Sequence, residues 1–219
     1  MRLSDKPLIR AFNMDCMEFM KDIPDNHYDL AIVDPPYGIG RDGQNQSRPN
    51  PENTRHGGKK YFERKRWDNK KPNKKYFVEL FRVSRNQIIW GGNYFIESLF
   101  SSSGWIFWDK MQRGFNSDGE LAFSSFNRAL RAVEIQRGVL AQEGTIHPTQ
   151  KPVQLYRWLL QNYAKEGDKI LDTHGGSMSS AIACYQEGFD LDIIELDEDY
   201  FNDAVKRFKM NTAQEDLFR

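Results

Sequence analysis

The sequence lacks the features that would place it in a membrane or mark it for export. No apolar run approaches the roughly twenty residues of a membrane span, and the opening MRLSDKPLIRAF has no signal-peptide core. A cytoplasmic protein with no membrane partner is therefore expected. Cysteine is nearly absent. Cys16 and Cys184 stand far apart and make neither metal-ligand nor redox spacing, so both read as reduced, buried thiols. There is no internal repeat, no Gly-Lys-Ser/Thr phosphate loop and no clean Gly-x-Gly-x-x-Gly pattern, which argues against a nucleoside triphosphate. Apolar residues still make up 39% of the 219. That is enough to exclude a disordered chain and to fill one core, so residues 1–219 read as a single domain.

Net charge is absent too, with 31 basic and 31 acidic residues, but the zero hides a segregation. Between Arg41 and Lys75 twelve lysines and arginines face four acids, a basic arm on an acidic body. A run of charge can be no more than a solvated loop. Here Tyr61, Phe62 and Trp67 interleave with the cations, as phosphate contact with base stacking requires. The nucleic-acid candidates are Arg41, Arg55, Lys59, Lys60, Arg64, Lys65, Arg66 and Trp67. The stretch from Gly38 to Pro72 has no usable periodicity, and a loop that long inside a compact domain is usually functional. Residues 38–75, with a smaller polar loop at 110–126, are the candidate nucleic-acid-contacting insertions.

Short apolar runs alternate with helical patterns, the mark of an α/β sheet covered by helices. Strands are expected at Leu8–Phe12, Tyr28–Val33, Gln87–Trp90, Trp105–Trp108, Ala129–Ile135, Lys169–Leu171 and Leu191–Glu195. Helices are expected at Cys16–Lys21, Tyr76–Val83, Val153–Ala164, Ser179–Glu187 and Glu198–Lys209.

Two strand exits carry chemistry. In KILDTHGGSMSSAIACYQEGFDLDIIELDEDY a strand ends at Asp172, small residues turn into a helix, and a second strand ends at Glu195. Such units hold adenosine, with the acid accepting from the ribose hydroxyls, although tight packing alone can also explain the small residues. The acids Asp172, Glu195 and Asp197 disfavour a polyanion and suit a cationic adenosine compound such as S-adenosylmethionine. In LAIVDPPYGIG a buried strand delivers Asp34-Pro35-Pro36-Tyr37. The Asp34 carboxylate and the Pro35 carbonyl are two rigidly held acceptors for the N–H groups of one exocyclic amine. Tyr37 offers a ring to an extruded base. A plain turn capped by Asp34 is the bland alternative.

Asp34-Pro35-Pro36-Tyr37 resembles the catalytic motif of the amino-group DNA methyltransferases. IHPTQKPVQLYRWLL, from Ile146, resembles a second hallmark of that family, and the Asp172–Glu195 unit stands in the position of its cofactor motif. The order of motifs is similar to the β arrangement, so the resemblance implies a Rossmann-like methyltransferase domain, a mostly parallel twisted sheet with permuted motif order. Carried over, Asp34, Pro35, Pro36 and Tyr37 are catalytic. Asp15 and Cys16 lie by the cofactor adenine, and Glu195 by its ribose. His147, Thr149 and Lys151 line its methionine end, with Lys151 pairing with its carboxylate. Asp172, His174, Gly176 and Ser177 form its turn. The family turn reads Asp-Pro-Phe-x-Gly-Ser-Gly-Thr-Thr, so His174 replaces the aromatic residue and Met178 the second glycine. The turn is expected to form with Met178 in an ordinary backbone conformation.

The resemblance implies an S-adenosylmethionine-dependent DNA adenine-N6 methyltransferase that flips its target base and holds no metal. Its expected partner is double-stranded DNA, in a bacterial or virally encoded setting, and a homodimer is compatible with the compact chain. Alternatives are a cytosine-N4 or RNA adenine methyltransferase, or a non-catalytic nucleic-acid-binding module that keeps the fold. A protein-glutamine enzyme fits poorly, because Asn would open the tetrapeptide and the cofactor motif would precede it.

Overall fold

A computed structural model describes residues 6–43, 62, 64–113, 117–136 and 138–216. The strands are β1 (Ile9–Asn13), β2 (Tyr28–Val33), β3 (Ser84–Trp90), β4 (Ile106–Asp109), β5 (Gly119–Ser124), β6 (Arg131–Glu134), β7 (Lys169–Asp172) and β8 (Asp190–Glu195). The helices are α1 (Cys16–Lys21), α2 (Lys74–Val83), α3 (Val139–Glu143), α4 (Val153–Tyr163), α5 (Ser179–Glu187) and α6 (Glu198–Asp216). One sheet runs in the order β1-β8-β7-β2-β3-β5-β4-β6. All its pairings are parallel except those of β5 with β3 and β4.

Local signals explain most of these elements. The Asp15 carboxylate accepts from Met17 N and starts α1, and the Asn73 amide oxygen accepts from Tyr76 N and starts α2. Along β2, alternate residues serve opposite faces of the sheet. Leu30 and Ile32 join a core with α4 and α5, whereas Ala31 and Val33 join one with α1 and α2.

Two expectations are corrected here. The 110–126 stretch is not simply a loop, because β5 lies inside it, and α3 was unforeseen. Only Leu121, Ala122 and Phe123 of β5 are apolar, too short a run for periodicity to register. Its burial comes from Trp90 and Ile106, which lie across from Ala122 on neighbouring strands. Of the two free thiols, Cys184 is buried as expected, but Cys16 is only half-buried.

The order of strands reverses between β7 and β2. From β2 the chain builds outward through β3, while β7 and β8 return to fill the space between β1 and β2. Ligands of open α/β sheets bind beyond the carboxyl ends of the strands at such a point.

A tie onto the buried Asp192 holds the other end of the β1–β8–β7–β2 half. Asp192 on β8 accepts from Arg10 Nε at 2.6 Å and Nη2 at 2.5 Å, and from the Tyr28 hydroxyl at 2.7 Å. Arg10→Ala leaves that carboxylate one neutral partner and is expected to cost about 2 kcal/mol. Tyr28→Phe is expected to cost about 1 kcal/mol. Urea denaturation midpoints check both.

Candidate active site

Because β2 and β7 are adjacent and parallel, pairing Leu30 with Ile170 and Ala31 with Leu171, their two exits open side by side. A cleft of about 1070 Å³ opens at the β2 exit, lined by Asp34, Tyr37, Tyr94, Glu120, Thr149 and Lys151 among others. Pro35 and Pro36 line it too, Pro35 buried and Pro36 half-buried.

The Asp34 carboxylate is engaged at both oxygens. Oδ1 accepts from the Tyr37 hydroxyl at 2.7 Å, and Oδ2 from Lys151 Nζ at 2.5 Å. Lys151 was expected at the methionine end of the cofactor; its ammonium lies instead against Asp34. Buried over the rings of Trp90 and Tyr37, it also meets Glu120 Oε2 at 3.1 Å. Glu120 Oε1 meets Lys110 at 2.6 Å. The result is an alternating row of charges, Asp34, Lys151, Glu120, Lys110. Burial pushes the Asp34 carboxyl up and Lys151 pulls it back. Burial also opposes the Glu120 charge, but two cations outweigh it and hold this carboxyl low.

Tyr37 is packed from several sides. Tyr94 stacks on it at 5.0 Å with an interplanar angle of 16°, and Phe95 presents an edge. Gly91 has φ +67°, and a Cβ there would stand 2.2 Å from Tyr37 Cε1. Only glycine meets both demands. Gly91, Tyr94, Lys110 and Glu120 escaped the sequence reading. The glycine pair that follows QIIW was a usable signal for Gly91, whereas Glu120 carried none.

The turn after β7 is built around two carboxylates. Asp172 accepts from Ser180 Oγ at 2.6 Å and His174 N at 3.0 Å, and burial pushes its pKa up to about 7. It holds the turn from beneath. Glu195 accepts from Gly176 N at 2.7 Å and Asp197 N at 2.9 Å, with Gly176 at φ +49°. Met178 is corrected: it is left-handed, φ 55° and ψ 32°, as the glycine it replaces would be. That backbone costs about 1–2 kcal/mol, offset by a side chain buried in the core. Arg207 of α6 braces the turn, donating to the Ser177 carbonyl at 2.9 Å and to Ser179 Oγ at 3.1 Å. His174 pairs with the Thr173 hydroxyl at 2.9 Å and meets Tyr76 edge-on.

The His-Pro-Thr-Gln-Lys-Pro hexapeptide divides between the two exits. Lys151 serves Asp34, while the His147 ring lies near Gly176. His147 stacks on Trp67 at 5.1 Å, meets Tyr200 edge-on, and has Nδ1 3.2 Å from the Thr149 hydroxyl. Burial and Lys151 push its pKa down to about 3. At the end of β1, Asp15 is exposed and caps α1, and burial pushes the Cys16 thiol up to about 12.

The basic arm is only partly available. Arg55, Lys59 and Lys60 lie outside the described residues. Arg41 and Arg66 are exposed. Lys65, expected on phosphate, sits between Asp197 at 2.6 Å and Asp199 at 2.7 Å, above the Tyr200 ring. Arg64 meets Asp42 at 3.2 Å. The acids that follow β8 draw this end of the arm back onto the body. Asp68 closes its base, accepting from Gly38 N at 2.8 Å and Arg41 N at 2.7 Å.

The turn has a pH signature. Asp172 binds a proton in the native state that the unfolded chain releases near 3.8. Its contribution to stability is therefore lost as pH rises from about 4 through 7. His147 and His174, pushed down to about 3 and about 4 from 6.5, act oppositely and withdraw stability as pH falls below 6.5. Asp172→Asn, whose oxygen can accept from His174 N while its amide donates to Ser180 Oγ, is expected to gain stability over the parent between pH 5 and 8, by on the order of 2 kcal/mol at pH 8. Urea titrations across that range measure it.

Comparison with known proteins identifies the family and the fold. A family model described as DNA methylase, for the N6 and N4 enzymes, matches residues 51–206. No curated protein sequence matches the chain. Among solved structures, the M1.HpyAVI–SAM complex superposes with a TM-score of 0.62 at 19% identity, covering 91% of this chain and 98% of its own. The cytosine-N4-specific PvuII DNA methyltransferase superposes at 0.60 and 12%, covering 95% and 93%. The Thermus thermophilus protein TTHA0409, complexed with S-adenosyl-L-methionine, gives 0.59 and 14%, covering 93% and 94%. These likenesses share the fold; the family match spans most of the sequence, and the chain belongs to the N6/N4 DNA methylase family.

Proposed function

We propose that the protein transfers a methyl group from S-adenosylmethionine to adenine N6 in DNA. The observation that carries this reading is the pairing of β2 with β7, which sets the Asp34 acceptors beside the glycine turn. That turn suits a cationic nucleoside. Bare backbone at Gly176 allows close approach, and Asp15 and Glu195 stand at the neighbouring strand ends. Asp15, Cys16 and Glu195 would hold the adenosine, and His147, His174, Gly176 and Ser177 the remainder, with Asp172 fixing the turn. Bound there, the cofactor supplies an electrophilic methyl group on a sulfonium.

The protein's own residues act on the amine. Its lone pair is delocalised into the base, and acceptors aimed at both N–H groups favour the pyramidal nitrogen that attacks. The Asp34 carboxylate and the Pro35 carbonyl are those acceptors, and the prolines keep them aimed. Tyr37 would stack the base once it has left the duplex, on the face that Tyr94 covers. The amine loses its proton only after attack, so Asp34 need not act as a strong base.

Asp at the head of the tetrapeptide favours adenine N6 in the family pattern. Cytosine N4 presents the same two donors and is the second reading, supported by the fold shared with a cytosine-N4 enzyme. The 38–75 and 110–126 segments would supply phosphate contacts and sequence choice, with Arg41, Arg66 and Trp67 as candidates among the described residues.

Incubation of the protein with unmethylated duplex DNA and methyl-tritiated cofactor, followed by nucleoside analysis, tests the reading. Label in N6-methyladenine is expected. Label in N4-methylcytosine overturns the base, and label on RNA alone overturns the substrate. Asp34→Ala is expected to cut transfer at least about 10³-fold with cofactor binding by calorimetry retained. A variant that still transfers removes Asp34 from this role.

A further inference from the structure

We infer that Glu120 is a positioning residue for Asp34: it is the acceptor onto which Lys151 moves when the target amine takes Asp34. This rests on the methyl-transfer reading above. Asp34 is poorly placed to receive an amine as it stands. Lys151 Nζ at 2.5 Å both covers Oδ2 and neutralises its charge, and the Tyr37 hydroxyl takes Oδ1 at 2.7 Å. A neutral N–H cannot displace an ammonium into a buried, anion-free space, because the desolvated cation would lose its only counter-charge.

Glu120 removes that obstacle. Its Oε2 already stands 3.1 Å from Lys151 Nζ and 3.3 Å from the Tyr37 hydroxyl, so one carboxylate oxygen faces both partners of Asp34. Lys110 holds the other oxygen at 2.6 Å and is itself seated over the Trp108 ring at 5.2 Å. Transfer of Lys151 from Asp34 to Glu120 keeps an ion pair throughout, and it restores a charged acceptor to the amine.

The position of Glu120 follows from the antiparallel run of β5. Because β5 runs against β3, its beginning rather than its end reaches the carboxyl edge of the parallel strands, and Glu120 pairs with Trp108 there. No parallel strand could present its second residue at that edge.

Glu120→Gln preserves the shape and removes the charge that receives Lys151. Single-turnover transfer to duplex DNA is expected to slow roughly tenfold or more, with the cofactor Kd unchanged. Asp34 must be ionised to accept, so the rate falls as pH drops through its pKa. Without the Glu120 charge that pKa drops, and the acid limb of the profile moves to lower pH. Lys110→Gln withdraws a cation instead and is expected to move the limb to higher pH. Opposed shifts support the inference, and either variant keeping the parent's limb overturns it, since a structural defect slows transfer equally at all pH. If circular dichroism finds Glu120→Gln unfolded, the Lys110→Gln profile decides alone. No transfer to any nucleic acid by the parent protein defeats the methyl-transfer reading itself, a separate outcome.

Discussion

The parallel pairing of β2 with β7 brings two strand exits from distant parts of the chain to one edge. Asp34 leaves one strand and the Asp172 turn leaves the other, with about 140 residues between them in sequence but adjacent strands beneath. Every later feature depends on that adjacency. The hexapeptide from His147 to Pro152 precedes α4, which packs over this half of the sheet, so His147 reaches one exit while Lys151 reaches the other.

The charges at this edge are stable only as a row. A buried carboxylate or ammonium alone would neutralise rather than stay charged. Alternation from Asp34 through Lys151 and Glu120 to Lys110 gives each inner charge two opposite neighbours, and the rings of Tyr37, Trp90 and Trp108 line the cations. The turn after β7 follows a different rule. Its carboxylates are satisfied by backbone amides and hydroxyls, so Asp172 and Glu195 sit among neutral donors with raised affinity for a proton. One site thus combines an ion-paired half with an acidic half.

Much of this was legible beforehand. The bounds of β2, α1 and α5 follow from apolar runs and capping residues whose causes are local. The tetrapeptide and the two-glycine turn were legible as strand exits for the same reason, since prolines and small residues end a strand locally. The reading failed where the cause was remote. β5 has three apolar residues and becomes a strand because Trp90 and Ile106 wait on either side. Met178 takes a left-handed backbone because the turn demands it and the core accepts its side chain. Lys65 is withdrawn by Asp197 and Asp199, which lie over 130 positions away.

The sequence by itself determined the α/β alternation, the segregation of basic charge and the placing of an acid, two prolines and a ring at the exit of β2. These depend on neighbours within a few residues, where periodicity and backbone restriction act directly. Tertiary structure alone decided who meets whom at the edge: Lys151 with Asp34, Glu120 with Lys151, Gly91 against Tyr37. The physical reason is that charge pairing and close packing act through space across the order of strands, and local pattern does not record which strands become neighbours.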